Sequence, residues 1–208
     1  MYQVSADING VEAKQVFLTT DYDLNVEGIL VAINEYSKMV FICSPNNPTG
    51  NDVSLDKIEE VLKSFRGIVV VDEAYIDFTD RDSFTQKLDL YPNLVVLQTF
   101  SKAWGLAALR LGMAFCSVEM TNIINKIKAP YNLSGLTQQT VLEALVHTDK
   151  KDNMVNTILD NREELKGSLE GLDLIQKVYP TDANFFLVTI PNAKEVYQNM
   201  IEKKVILR

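Results

Sequence analysis

The stretch Ile68-Val69-Val70-Val71-Asp72-Glu73-Ala74-Tyr75 decides the fold. Its first four residues are aliphatic with no polar alternation, which is the pattern of a strand buried on both faces in a parallel sheet. Just before it, Leu55, Ile58, Val61, Leu62 and Phe65 recur at helical spacing behind Ser54, which reads as an N-cap. Asp56 and Glu59 sit near that helix's positive end, and Gly67 stops it. Met39–Cys43, Leu94–Leu97 and Leu111–Cys116 repeat the buried-strand pattern, and Val26–Tyr36 repeats the helical one. Val16-Phe17-Leu18 is a further short apolar run. Strands of this kind separated by helices predict an α/β fold, a mostly parallel sheet with helices on both faces.

The last third has a different grammar. Gln138–Val146 is helical, and 149–169 reads as one amphipathic helix with Met154, Ile158, Leu159, Arg162, Leu165 and Leu169 on its stripe, closed by Gly171. Strand-like Leu174–Tyr179 and Phe185–Ile190, a helix over 193–203 and a final Val205-Ile206-Leu207 follow. This α+β pattern predicts the start of a smaller domain. The expected division is 1–155 for part of a large ligand-binding domain and 156–208 for part of a small C-terminal one.

Composition narrows the function classes. The 208 residues carry 20 Lys+Arg against 28 Asp+Glu, a net charge of −8, with 47% apolar residues. That is ordinary for a globular chain and argues against a nucleic-acid or anionic-membrane binder, since both reward clustered cations. No run is long enough to span a bilayer, and the first residues lack the parts of a signal peptide, so a cytoplasmic protein is expected. Cys43 and Cys116 end apolar runs and read as small core residues. His147 is the only histidine, near the end of a helix where a cation suits the dipole, and it reads as solvated surface. With one histidine and two isolated cysteines, no metal site is expected.

Three segments at the C-terminal ends of predicted strands concentrate polar residues: Ser44-Pro45-Asn46-Asn47-Pro48-Thr49-Gly50, Asp72-Glu73-Ala74-Tyr75, and Thr99-Phe100-Ser101-Lys102 continuing to Arg110-Leu111-Gly112. Open α/β sheets bind ligands at that edge. Singly, each segment has a bland reading as turn, solvated strand end or helix cap. Jointly, the pattern resembles the fold-type I pyridoxal-phosphate aminotransferases of classes I and II. The resemblance rests on SPNNPTG at 44–50, VVVDEAYIDF at 69–78, TFSKAWGLAALRLG at 99–112 and KAPYNLS at 128–134, and it runs over the whole chain.

That resemblance implies roles for named residues. Lys102 would hold pyridoxal 5'-phosphate as a Schiff base, lysine being suited because its amine sheds its proton when partly desolvated and flanked by positive charge. Asp72, emerging from a wholly apolar strand, would pair with the ring nitrogen, while its neighbour Glu73 should point away and be structural. Asn47 and Tyr75 would hydrogen-bond the ring's phenolic oxygen, and Pro45 and Pro48 would hold their loop. Thr99, Ser101 and Arg110 would bind the cofactor phosphate. Tyr131, Asn184 and Arg208, and beyond them Trp104 and Asn132, are candidates for the substrate side.

The implied activity is transfer of an amino group between an amino-acid-like phosphate and 2-oxoglutarate or glutamate, as in histidine biosynthesis, by a homodimer. Another aminotransferase or an amino-acid-phosphate decarboxylase would use the same residues, and a non-catalytic binding or dimerisation module is the alternative from another class. Family members carry an N-terminal stretch with a first strand, a glycine-containing phosphate loop and a ring-stacking aromatic, and beyond the equivalent of Arg208 an arginine for the substrate's anionic group. These lie outside the present sequence. The 208 residues alone are therefore expected to bind the cofactor poorly and turn over little.

Overall fold

Why the aliphatic run at Ile68 can be buried on both sides is visible in the computed structural model, which describes residues 2–207. In chain order the elements are α1 (Tyr2–Ile8), α2 (Val26–Ala32), β1 (Met39–Cys43), α3 (Leu55–Ser64), β2 (Ile68–Asp72), β3 (Leu94–Thr99), β4 (Gly112–Cys116), α4 (Val118–Ile127), α5 (Gly135–Leu145), α6 (Thr148–Glu170), β5 (Lys177–Val178), β6 (Val188–Thr189) and α7 (Ala193–Glu202). Strands β1 to β4 form one sheet in that order, with β1, β2 and β3 parallel. The predicted mostly parallel sheet is thus present with one antiparallel edge, β4 on β3. Only a short 3₁₀ turn at Ala107–Leu109 separates those two strands, not the helical crossover that a parallel return needs.

Register assigns the side chains to faces. Ile42, Val69, Val71, Leu94 and Val96 form one core with Val26 and Ile29 of α2 and Ile58, Val61 and Leu62 of α3. On the opposite face Val70 and Val95 are buried, while Met39 and Phe41 stay open, so coverage there is incomplete among the described residues. Alternation along β2 places Asp72 on that second face and Glu73 on the first.

Several expectations need correction. Helix α2 ends at Ala32, short of Tyr36, because the Asn34 side-chain oxygen accepts from the amides of Tyr36 (2.9 Å) and Ser37 (3.1 Å) and turns the chain. The apolar runs at 16–18 and 205–207, for which no element is predicted, lie outside helix and strand. The strand-like C-terminal segments pair only over Lys177–Val178 and Val188–Thr189, and the Phe185 carbonyl is taken by the Thr181 hydroxyl at 2.7 Å. Ser54 is at the N-cap position of α3, but its hydroxyl donates to Asp23 Oδ2 at 2.6 Å and makes no cap bond. Asp23 holds this helix start instead, accepting also from the Ser54 amide (2.8 Å) and pairing with Lys57 (2.8 Å). Burial pushes the Asp23 carboxyl up, but the bonds from Lys57 and Ser54 outweigh it and hold it well below the usual carboxylate range.

Glu73 is 1% exposed and fully engaged. Arg81 donates to its Oε1 (2.9 Å), as does the Phe84 amide (2.9 Å), while Ser83 (2.5 Å) and Gln98 (3.1 Å) donate to Oε2. The same Arg81 donates to Asp52 Oδ1 at 2.9 Å and to the Ser44 carbonyl at 2.8 Å, so it ties the loops after β1 and β2 together. Removing one partner of such a pair strands a buried charge. Arg81→Met should therefore lower the unfolding free energy by about 3–5 kcal/mol, read as a shift of the urea midpoint.

Candidate active site

The loop after β1 is shaped by Gly50, whose φ of +85° and close neighbour exclude other residues: a Cβ there would stand 2.5 Å from Thr181 Oγ1. The Asp182 amide donates to the Gly50 carbonyl at 2.8 Å, Asp182 Oδ2 accepts from the Asp52 amide at 2.8 Å, and Thr181 Oγ1, whose proton goes to the Phe185 carbonyl, lies 3.3 Å from the Gly50 carbonyl. Residues 181–185 are thereby clamped onto residues 44–52. Helix α6 clamps them from the other side, where Arg162 donates to the carbonyls of Phe78 (3.2 Å) and Ala183 (3.1 Å). Val155, Ile158 and Leu159 of α6 pack with Tyr75, Phe78, Ala183 and Phe185 beneath the site.

Within this frame, Asn47 Nδ2 donates to the Tyr75 hydroxyl at 2.9 Å. The Tyr75 ring is buried and meets Phe185 edge-on at 5.2 Å between centroids. The Lys102 ammonium lies 4.9 Å from the centre of the Tyr75 ring. Asp72 ends β2, accepting from the Ala74 amide on Oδ1 at 3.0 Å and from the Tyr2 hydroxyl on Oδ2. Tyr2 stacks on Phe41 at 4.5 Å between centroids. Its neighbour Cys43 pairs with Asp72 in the sheet register. Burial, with help from the Asp72 charge, raises the Cys43 thiol to about 11.

The remaining predicted residues are less assembled. Thr99 Oγ1 accepts from the Ser101 amide at 3.0 Å, which sets the loop ahead of Lys102. Arg110 adopts a left-handed conformation (φ 53°, ψ 39°) as the cap of the 107–109 turn, and its guanidinium folds back on the Ala107 carbonyl at 3.0 Å. Trp104 packs against Phe100, 5.6 Å between centroids, with the Lys151 ammonium 5.7 Å from the centre of the Trp104 ring. Tyr131 is 99% exposed with φ 56°, and Asn132 and Asn184 are also exposed. His147 is exposed at the start of α6. Arg208 lies outside the described residues.

An amine, a phenol bound to an amide and a carboxylate with spare acceptor capacity suit an aldehyde, a phenolic oxygen and a ring nitrogen, and the hydroxyls of Thr99 and Ser101 with the Arg110 guanidinium suit a phosphate once Arg110 leaves the Ala107 carbonyl. A model of aminotransferases of class I and II matches residues 1–208. The chain belongs to the aminotransferase class I and II family.

This family is pyridoxal-phosphate-dependent. Among its members, the histidinol-phosphate aminotransferase of Cytophaga hutchinsonii is 54% identical over 208 residues, covering 100% of this chain and 60% of the relative. The chain thus spans 60% of that curated relative's length. The crystal structure of the histidinol-phosphate aminotransferase from Clostridium acetobutylicum matches 100% of this chain and 64% of its own, with TM-score 0.91 at 23% identity. That from Sinorhizobium meliloti, in complex with pyridoxal-5'-phosphate, gives TM-score 0.89 at 22% identity over 100% of this chain and 58% of its own. At such identities the two structures establish the aminotransferase fold.

Two residues that brace this cluster escaped sequence reasoning. Arg81 sits in a polar loop with no periodic signal, and Tyr2 reaches Asp72 across 70 residues of sequence. The raised Cys43 thiol has a chemical consequence, because the neutral form prevails below its titration point. Alkylation of Cys43 at pH 8 should be roughly a hundredfold slower than of an unshifted thiol and rise about tenfold per pH unit to pH 10. Mass-spectrometric quantification of the labelled peptide checks this.

Proposed function

We propose that Lys102 anchors pyridoxal 5'-phosphate and that the protein moves an amino group between histidinol phosphate and 2-oxoglutarate or glutamate. The observation that carries the site assignment is the Lys102 ammonium over the ring of Tyr75, whose hydroxyl is bound by Asn47. Support for the substrate comes from the 54% identity to the Cytophaga hutchinsonii histidinol-phosphate aminotransferase.

When bound, the cofactor supplies an electron sink for the substrate α-carbon. Asp72, at the end of an apolar strand, would pair with the ring nitrogen and keep it positively charged. Tyr75 and Asn47, already joined, orient as a pair toward the phenolic oxygen. Lys102 Nζ would hold the cofactor, and as an amine it is the group suited to take and return a proton at the substrate α-carbon. Thr99, Ser101 and Arg110 would bind the phosphate, which would require Arg110 to give up its bond to the Ala107 carbonyl. Tyr131, Asn184 and Arg208 serve the substrate side.

The division at residue 155, cytoplasmic location and a homodimer belong to this reading. No helix among the described residues is long and apolar enough to cross a membrane.

The decisive test is incubation of the whole protein with pyridoxal phosphate, borohydride reduction, digestion and mass mapping. A tag on Lys102 is expected, and its absence would sink the assignment. Lys102→Ala should lower turnover of histidinol phosphate with 2-oxoglutarate by roughly 10²–10⁴-fold. Equal rates with aromatic amino acids would remove the substrate assignment and leave the aminotransferase reading, while carbon dioxide release would replace transfer by decarboxylation.

A further inference from the structure

Helix α1 is odd as a packing element. None of its residues is buried, and its large apolar side chains Val4 and Ile8 face solvent. What it delivers to the sheet is one side chain: the ring of Tyr2 on Phe41 and its hydroxyl on Asp72. A residue whose task was only to fill space would not need that hydroxyl, because the stack on Phe41 is made by the ring.

The surroundings fix which partner holds the proton. The Tyr2 hydroxyl has Asp72 and Cys43 as polar neighbours on the second face of the sheet. Burial first, then Cys43 and the Asp72 carboxylate, push the phenol far above its ordinary range, so it is a donor at every physiological pH. Cys43 is neutral there as well, and the Tyr2 hydroxyl donates to Oδ2 of Asp72.

We propose that Tyr2 is a positioning residue for Asp72. Its hydroxyl holds Oδ2 while the Ala74 amide holds Oδ1, so both carboxylate oxygens are gripped and the plane of the group is set. Each oxygen retains a second lone pair, which leaves room for a cationic ring nitrogen. A carboxylate held this way loses no rotamer freedom when it pairs with a ligand, and that preorganisation reads out as affinity. The inference rests on the cofactor assignment above and adds a residue to it.

The test is a double-mutant cycle on the whole apoprotein, with pyridoxal phosphate as titrant and its dissociation constant as readout. Tyr2→Phe keeps the ring stack and removes only the hydroxyl. It should weaken binding roughly tenfold in the native background, the scale of one hydrogen bond to a charged group, and less than about twofold beside Asp72→Asn. Equal losses in both backgrounds, or no loss in either, would overturn the proposal in favour of a packing role. Tighter binding by Tyr2→Phe would overturn it by making the phenol a competitor for Asp72. Failure of the unsubstituted protein to bind pyridoxal phosphate would overturn this proposal together with the cofactor assignment, whereas binding that ignores Tyr2 overturns this one alone.

Discussion

The Glu73–Arg81 ion pair is the contact on which the C-terminal edge of the sheet depends. A carboxylate without exposure is tolerable only if every lone pair is answered, and Glu73 is answered by a guanidinium, a hydroxyl, an amide side chain and a backbone amide. Arg81 has donors left over, and these reach Asp52 and the Ser44 carbonyl. One buried charge thereby fixes where the loops after β1 and β2 lie relative to each other. Asn47 meets Tyr75 because those two loops are held at that distance.

The adjacent acid shows how a strand separates structure from chemistry. Asp72 and Glu73 are chemically near-identical neighbours, yet the two-residue period of β2 sends them to opposite faces. Glu73 enters a closed polar network among core residues. Asp72 ends on the face where coverage is thinner, gripped by two donors and still able to accept more. The C-terminal part adds a second brace. Arg162 on α6 joins the Phe78 and Ala183 carbonyls, and residues 181–185 lie across Gly50, so the floor under Tyr75 is built from segments far apart in sequence.

Much of this was legible in the residues. Aliphatic runs without alternation located β1 to β3 within a residue or two; burial on both faces of β2 and β3 leaves no place for polar side chains, whereas β1 keeps Met39 and Phe41 open. Polar clusters at the ends of those runs located the site edge, because loops at strand ends are where backbone and side-chain donors converge. The resemblance then gave Lys102, Asn47 and Tyr75, which the fold brings together. Other features left no local trace. Helix α1 has no apolar stripe, Arg81 looks like an ordinary loop cation, and the length of α2 was decided by a side-chain turn at Asn34. The Ser54 position was correct while its partner was not, since Asp23 competes for the hydroxyl.

By itself the sequence determined where the strands run, which polar residues stand at their ends, and which chemistry those residue types can perform, while β4 and one face of β1, also read as buried, stay partly open. These follow from burial and from functional groups, both of which are properties of a residue and its near neighbours. Tertiary structure alone decided the antiparallel direction of β4, the gripping of Asp72 by Tyr2, the turning back of Arg110 onto Ala107, and the exposure of Tyr131 and Asn184. Each of these depends on a partner distant along the chain or on a backbone turn whose geometry the local residues permit without requiring.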